Sequence, residues 1–118
     1  MFIFVLLFMK VHLIKRQSIE NYVIENVQSK VAFGNWLSIV KRAEWDKPHD
    51  MITTFNTADI LGNSSDRVVF NIGGNKYRMI CKYYFGENKV HLFINWIGTH
   101  AAYTKLCKEG KQYTVNVY

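Results

Sequence analysis

Three apolar runs dominate the second half of the chain: Arg67–Ile72, Tyr77–Phe85 and Lys89–Ile97, all rich in Val, Ile, Phe, Tyr and Trp. Gly73-Gly74-Asn75 and Gly86-Glu87-Asn88 separate them. Apolar runs punctuated by short Gly/Asn turns predict an antiparallel three-stranded meander. The middle run alternates. Tyr77, Met79, Cys81 and Tyr83 point one way, and Arg78, Ile80, Lys82 and Tyr84 the other. Arg78 and Lys82 therefore share a face.

The first half carries a helical period. Val11–Ile14 is a short β candidate, followed by Ser18 as a candidate N-cap and by Ile19, Tyr22, Val23 and Val27 at helical spacing, which predicts a first helix to about Gln28. Ser29 is placed to cap a second helix, whose apolar positions Phe33, Trp36, Leu37 and Val40 fall on one face. Lys41 and Arg42 complement its dipole, and Trp45-Asp46-Lys47-Pro48 closes it, because a residue before Pro avoids the α region. The pair forms an αα-hairpin whose apolar face needs the meander to cover it. Pro48–Phe55 predicts one short helical turn anchored by Met51, Ile52 and Phe55. Asn56–Asp66 is polar and Gly-containing, and reads as a long loop pinned by Ile60 and Leu61.

Beyond the meander, Thr99 is positioned to cap a short helix on which His100, Tyr103 and Thr104 are near neighbours. Gln112–Tyr118 alternates Tyr113, Val115 and Val117 with polar residues, which predicts a last strand. Residues 1–8 are apolar throughout, yet far short of the ~20 residues that span a bilayer. They also lack the basic n-region and small-residue cleavage site of a signal peptide. Two readings remain: an extension or unstructured segment upstream of a start at Met9, or a lengthened first strand. Residues 9–118 read as a single α+β domain, with no repeat, low-complexity tract or membrane segment, and the expected location is the cytoplasm.

Composition narrows the function classes. A hydrophobic share of 49% supports a true core and excludes a disordered chain. With 15 Lys and Arg against 9 Asp and Glu, the net charge is +6, which favours a polyanionic partner without selecting it over an acidic protein or a membrane surface. Cys81 and Cys107 form no CxxC pair and read as reduced thiols, and His12, His49, His91 and His100 have no metal-ligand spacing, so no metal and no cofactor are expected. A sheet with cations on one face and a His at its exit is suited to binding and cutting a phosphodiester.

The segment Arg67–Arg78 (RVVFNIGGNKYR), then Trp96-Ile97-Gly98-Thr99-His100 and Tyr103, resembles the HigB family of type II toxins, and Lys10–Val23 (KVHLIKRQSIENYV) resembles that family's usual beginning. The resemblance implies a RelE-like fold, an N-terminal helix pair packed on an antiparallel sheet. It implies an mRNA interferase that cuts messenger on the translating ribosome, and a HigA-like helix-turn-helix antitoxin. Operator DNA would be met only through the antitoxin complex. Many members carry acids two and four residues after the motif His; here those positions are Ala102 and Thr104.

Metal-independent RNA cleavage uses the ribose 2′-OH as nucleophile, so the site must move two protons and stabilise a phosphoryl group. Imidazole suits the proton steps and guanidinium the phosphate. Arg78 and His100 are the first candidates, with Tyr103 one turn further on. Arg67, Lys76, Lys82 and Lys89 are candidates for an RNA-binding phosphate track. Plainer roles stand beside these. Arg78 could be a solvated strand residue paired with Glu87 or Asp66, His100 a cap or surface residue, Tyr103 a core aromatic, and the lysines ordinary surface charges. Trp36, Trp45 and Trp96 read as core, and Gly73-Gly74 as a tight turn, since no helix follows it. A non-catalytic module that holds only antitoxin and operator competes with the endonuclease, as does an RNase active on free RNA.

Overall fold

The computed structural model describes residues 8–118. In chain order it contains β1 (Met9–Ile14), α1 (Arg16–Glu25), a 3₁₀ turn (Val27–Ser29), α2 (Lys30–Arg42), β2 (Glu44–Trp45), α3 (His49–Thr54) and β3 (Asp59–Ile60). Then come β4 (Arg67–Ile72), β5 (Tyr77–Phe85), β6 (Lys89–Thr99), α4 (His100–Lys108) and a second 3₁₀ turn (Lys111–Tyr113). The expectations about the apolar start lie outside the described residues, except at Phe8, which is exposed. Among the described residues no helix is long and apolar enough to cross a membrane.

The meander forms as β4–β5–β6, with both pairings antiparallel. Gly73 and Gly74 take left-handed φ values of 65° and 67°, which explains why glycine stands at the first turn. The meander is the middle of a larger sheet, ordered β2-β1-β6-β5-β4-β3. Here the structure corrects the expected antiparallel sheet, because β1 lies parallel to β6, from Lys10 opposite Lys89 to Ile14 opposite Phe93. A parallel neighbour requires a crossover, and helices and β4–β5 occupy the chain between the two strands. The predicted loop over residues 56–66 also contributes: Asp59 and Ile60 pair with Val69 and Val68 as the edge strand β3.

One face of the sheet is buried under the helices. Val68, Phe70 and Ile72, Tyr77, Met79 and Cys81, and Val90, Leu92, Ile94 and Ile97 meet Ile19 of α1, Phe33, Trp36 and Val40 of α2, and Met51 of α3. At its centre Trp36, Phe55 and Phe70 form an aromatic trio with ring centroids 5.2–5.8 Å apart. Trp45 is fully buried, and its indole N–H donates to Thr54 Oγ1 at 2.9 Å. Burial pushes the Cys81 thiol far above its ordinary range, so it is an inert core group. Cys81 and Cys107 are both free thiols.

The caps differ from expectation in an instructive way. Ser18 is buried inside α1; Lys15, left-handed at φ 68°, makes the corner from β1 instead. Ser29 precedes α2, but its hydroxyl donates to the Asn26 carbonyl at 2.6 Å rather than capping. Thr99 does cap α4, accepting from the Ala102 N–H at 3.2 Å. The predicted last strand does not form. After the second 3₁₀ turn the tail runs without regular structure, held by a Val117 N–H bond to the Asn95 carbonyl. Alternation over seven residues was a weak signal there, because no free sheet edge of matching length faces the tail.

Phe70→Ala removes the ring shared by the aromatic trio. Denaturant unfolding is expected to show a loss of about 3–5 kcal/mol. A loss well under ~1 kcal/mol would mean that this trio is not the core's centre.

Candidate functional site

The second sheet face is built by the alternate residues of the same strands. Asn71 pairs with Arg78, and Arg78 with Gly98; Val69 pairs with Ile80, and Ile80 with Trp96; Arg67 pairs with Lys82, and Lys82 with Phe93. Between Trp96 and Ile94 the ladder slips by one residue, leaving Asn95 as a bulge opposite the Ile80–Cys81 step. The bulge restores the correct face to each side of β6, so Ile97 and Ile94 both enter the core although three residues apart. α4 and the tail cover the middle of this outer face.

Arg78 and His100 lie at the same end of the outer face. Arg78 faces Gly98, and two residues beyond Gly98 the His100 N–H donates to the Lys76 carbonyl at 3.0 Å. Arg78 is only 7% exposed. Its guanidinium donates to the Tyr77 carbonyl at 3.0 Å and approaches Asn75 Oδ1 at 3.5 Å. Neither Glu87 nor Asp66 pairs with it. The ion pairs among the described residues are Lys10–Glu44, Arg16–Glu20 and Lys111–Glu109. An almost buried cation without a carboxylate within salt-bridge range is costly, and an arriving phosphate oxygen would offset that cost.

Tyr103 joins this end from α4. Its ring lies 6.2 Å from that of Trp96. Burial pushes its phenol well above the ordinary range, helped by a hydrogen bond with Cys107 and by the Cys107 and Asp59 charges, while Arg78 acts the other way. The phenol therefore stays protonated at neutral pH. Trp96, expected in the core, is instead half-buried on this outer face. Its indole fills the space where a Cβ on residue 98 would begin, so Gly98 is what lets it lie beside Arg78. His100 is exposed at the first position of α4.

The expected track residues are not together. Arg67 is buried, and its Nη1 donates to the Val115 carbonyl at 2.6 Å and the Gln112 carbonyl at 3.3 Å. It holds the tail, and burial lowers its pKa from the usual guanidinium value. Lys76 rims a groove of about 400 Å³ beside α2, with Ala32, Trp36 and Phe55 in its walls. Lys82 and Lys89 remain exposed on the outer face, towards the end away from Arg78. Reasoning from residues missed Asp59, Trp96 and Cys107 as neighbours of the site. Asp59 sat in an apparent loop, and its only signal was its place before the apolar Ile60-Leu61 pair. Among the described residues no group of three or more His, Cys, Asp or Glu is arranged to hold a metal.

Two measurements check this description. Arg67→Ala is expected to speed hydrogen exchange at the Val117 amide by about tenfold or more, since charge-assisted bonds to the tail are worth ~1.5–3 kcal/mol; Lys82→Ala should leave it unchanged. In a spectrophotometric titration, the tyrosinate signal that Tyr103→Phe removes is expected above the ordinary pH of ~10, and Cys107→Ala should bring it down. Because the folded-state value is the higher one, Tyr103 contributes stability that is complete below pH ~10 and is lost as pH rises through its folded value.

The comparisons with known proteins bear on this same stretch. A search of curated proteins finds no match. The sequence model of HigB_toxin, described as the RelE-like toxic component of a toxin-antitoxin system, matches residues 29–106, from the turn before α2 to the penultimate turn of α4. That stretch contains Arg78, Trp96, His100 and Tyr103 and is more than half of the chain, so the protein belongs to the HigB_toxin family and is a toxin whose partner is a cognate antitoxin.

Proposed function

We propose that this toxin is a ribosome-dependent mRNA endonuclease, neutralised by a HigA-like helix-turn-helix antitoxin and reaching operator DNA only through that complex. The observation that carries the reading is Arg78, an almost buried guanidinium without a carboxylate, at the end of the sheet that Tyr103 and His100 share. Arg78 takes the non-bridging phosphate oxygens and stabilises the charge that builds on them during attack. His100 takes the proton of the ribose 2′-OH as the 2′-oxygen bonds to phosphorus. The P–O5′ bond breaks, and the leaving 5′-oxygen receives a proton from the Tyr103 phenol, which its surroundings keep protonated. The products are a 2′,3′-cyclic phosphate and a 5′-hydroxyl. No metal enters this scheme.

Ala102 and Thr104 leave α4 without the acids that many relatives of this resemblance carry. Asp59 of β3 lies close enough for its charge to raise the Tyr103 phenol. The phosphate track is correspondingly short. Lys82 and Lys89 serve it, and Arg67 supports it indirectly by holding the tail, while Lys76 stands apart at the groove beside α2.

In a translation reaction followed by primer extension, the wild-type protein is expected to cleave messenger within open reading frames. Arg78→Ala should lower the cleavage rate by about 100-fold or more, the scale for loss of one electrostatic donor at a transition state. His100→Ala and Tyr103→Phe should each lower it by about 10²–10⁴-fold, the scale of one proton transfer. Intact messenger with wild-type protein, together with tight antitoxin binding, would favour the non-catalytic module. Equal cleavage of ribosome-free RNA would favour a free RNase.

A further inference from the structure

Beyond the tail, the outer face carries a feature that cleavage does not use. Tyr84 of β5 pairs with His91 of β6, and His91 pairs with His12 of β1, so three rings stand in one row across three strands. The Tyr84 and His91 rings are stacked, with centroids 6.2 Å apart and planes 21° from parallel. His91 and His12 meet edge to face at 5.3 Å, and their Nδ1 atoms are 3.2 Å apart. None of these rings belongs to the core under the helices. Tyr84 is 63% exposed, far more than packing would leave a ring of that size.

Cations flank the row on both sides. The next row towards the tail contains exposed Lys82 beside half-buried Phe93, and the next row outwards contains Lys10 and Lys89 side by side. Of the acids near it, Glu44 is engaged with Lys10 at 3.2 Å, Glu87 sits in the turn between β5 and β6, and Asp46 and Asp66 line a hollow with Tyr84 in which Lys47 stands beside them. Aromatic rings between lysines suit single-stranded RNA, whose bases stack on rings while its phosphates meet the cations. The same lysines oppose a metal ion between the two imidazoles.

We propose that Tyr84, His91 and His12 form a base-stacking subsite for single-stranded RNA, separate from the cleavage corner. The proposal rests on the RNA reading above and extends it. Tyr84 is six residues along β5 from Arg78, or about 20 Å. A strand bound at both places would therefore have bases held well away from the scissile phosphate. Tyr84 supplies the open ring face, His91 stacks behind it, and His12 holds His91 through the Nδ1 contact.

The test is fluorescence anisotropy with the whole protein and a short 2′-O-methyl RNA, which cannot be cleaved through its 2′-oxygens. A ribose-phosphate chain of equal length without bases is the second probe. Tyr84→Ala is expected to weaken binding of the RNA about fivefold or more, Tyr84→Phe to retain it, and His91→Ala to weaken it to a smaller degree. The base-free chain should be indifferent to all three, whereas Lys82→Ala with Lys89→Ala should weaken both probes. Unchanged RNA affinity in Tyr84→Ala and His91→Ala overturns the subsite, and so does an equal loss with the base-free chain. Loss of affinity for the purified antitoxin in Tyr84→Ala, with RNA binding intact, would reassign the face to that partner and likewise overturn it. Cleavage is scored separately: a wild type that never cuts messenger but still shows the Tyr84 effect removes the endonuclease reading and keeps the subsite.

Discussion

Gly98 has no side chain, and the indole of Trp96 occupies the space that one would need. That steric exchange sits directly opposite Arg78 in the β5–β6 ladder. It lets a large ring lie along β6 between the strand and α4, where it meets Tyr103. A ring on one side and the meander below leave the Arg78 guanidinium almost no water, and its strongest contact is the neighbouring carbonyl of Tyr77. A charge so little hydrated attracts an anion more strongly than an exposed one does. Burial also raises the Tyr103 phenol, whose ring lies beside the same indole. A bulkier residue at position 98 would push the indole aside.

The second organising contact lies further along the sheet. Arg67 turns its guanidinium inward to the carbonyls of Gln112 and Val115, while Val117 and Asn116 meet Asn95 at the bulge. A bulge frees ladder groups that a regular strand would occupy. Here the Asn95 carbonyl takes the Val117 N–H, which is why an irregular tail can dock on a sheet without becoming a strand. Tyr118 then packs against the core beside α1, and the Lys15 ammonium reaches its carbonyl. The tail thus divides the outer face into two ends, with Arg78, Tyr103 and His100 at one and Lys82, Tyr84 and His91 at the other.

Much of the meander was legible because its period, its turn residues and its burial all agree. Tyr77, Met79 and Cys81 enter the core, and Arg78 and Lys82 share the other face, as the alternation demanded. The parallel β1–β6 pairing was not legible, since Val11–Ile14 carries no mark of which strand it joins. β3 was hidden by its two-residue length. Ser18 looked like a cap because capping residues are common before apolar periods, but a left-handed Lys15 had already turned the chain. The end of the sheet that Arg78 occupies was readable from the motif spacing, whereas its neighbours Trp96 and Asp59 depend on pairings far apart in sequence. The fate of Arg67 could not be read at all, because nothing local distinguishes a cation facing solvent from one facing backbone carbonyls.

The net charge of +6 is a poor guide to where a polyanion would lie. Lys10, Arg16 and Lys111 are engaged with carboxylates, Arg67 and Lys15 with the tail, and Lys76 rims a groove on the helix side of the sheet. What remains on the outward side of the strands is the nearly buried Arg78 at one end and the exposed Lys82 and Lys89 at the other, with Lys105 of α4 lining a hollow beside Trp96. Exposed lysines act through screened, long-range attraction and lose most of it within a Debye length of about 8 Å at physiological salt. A nearly buried guanidinium is screened far less and acts only on a group that reaches it. The two ends therefore differ in kind. Lys82 and Lys89 attract any nearby polyanion at long range, while Arg78 acts strongly only on an anion that comes into contact with it.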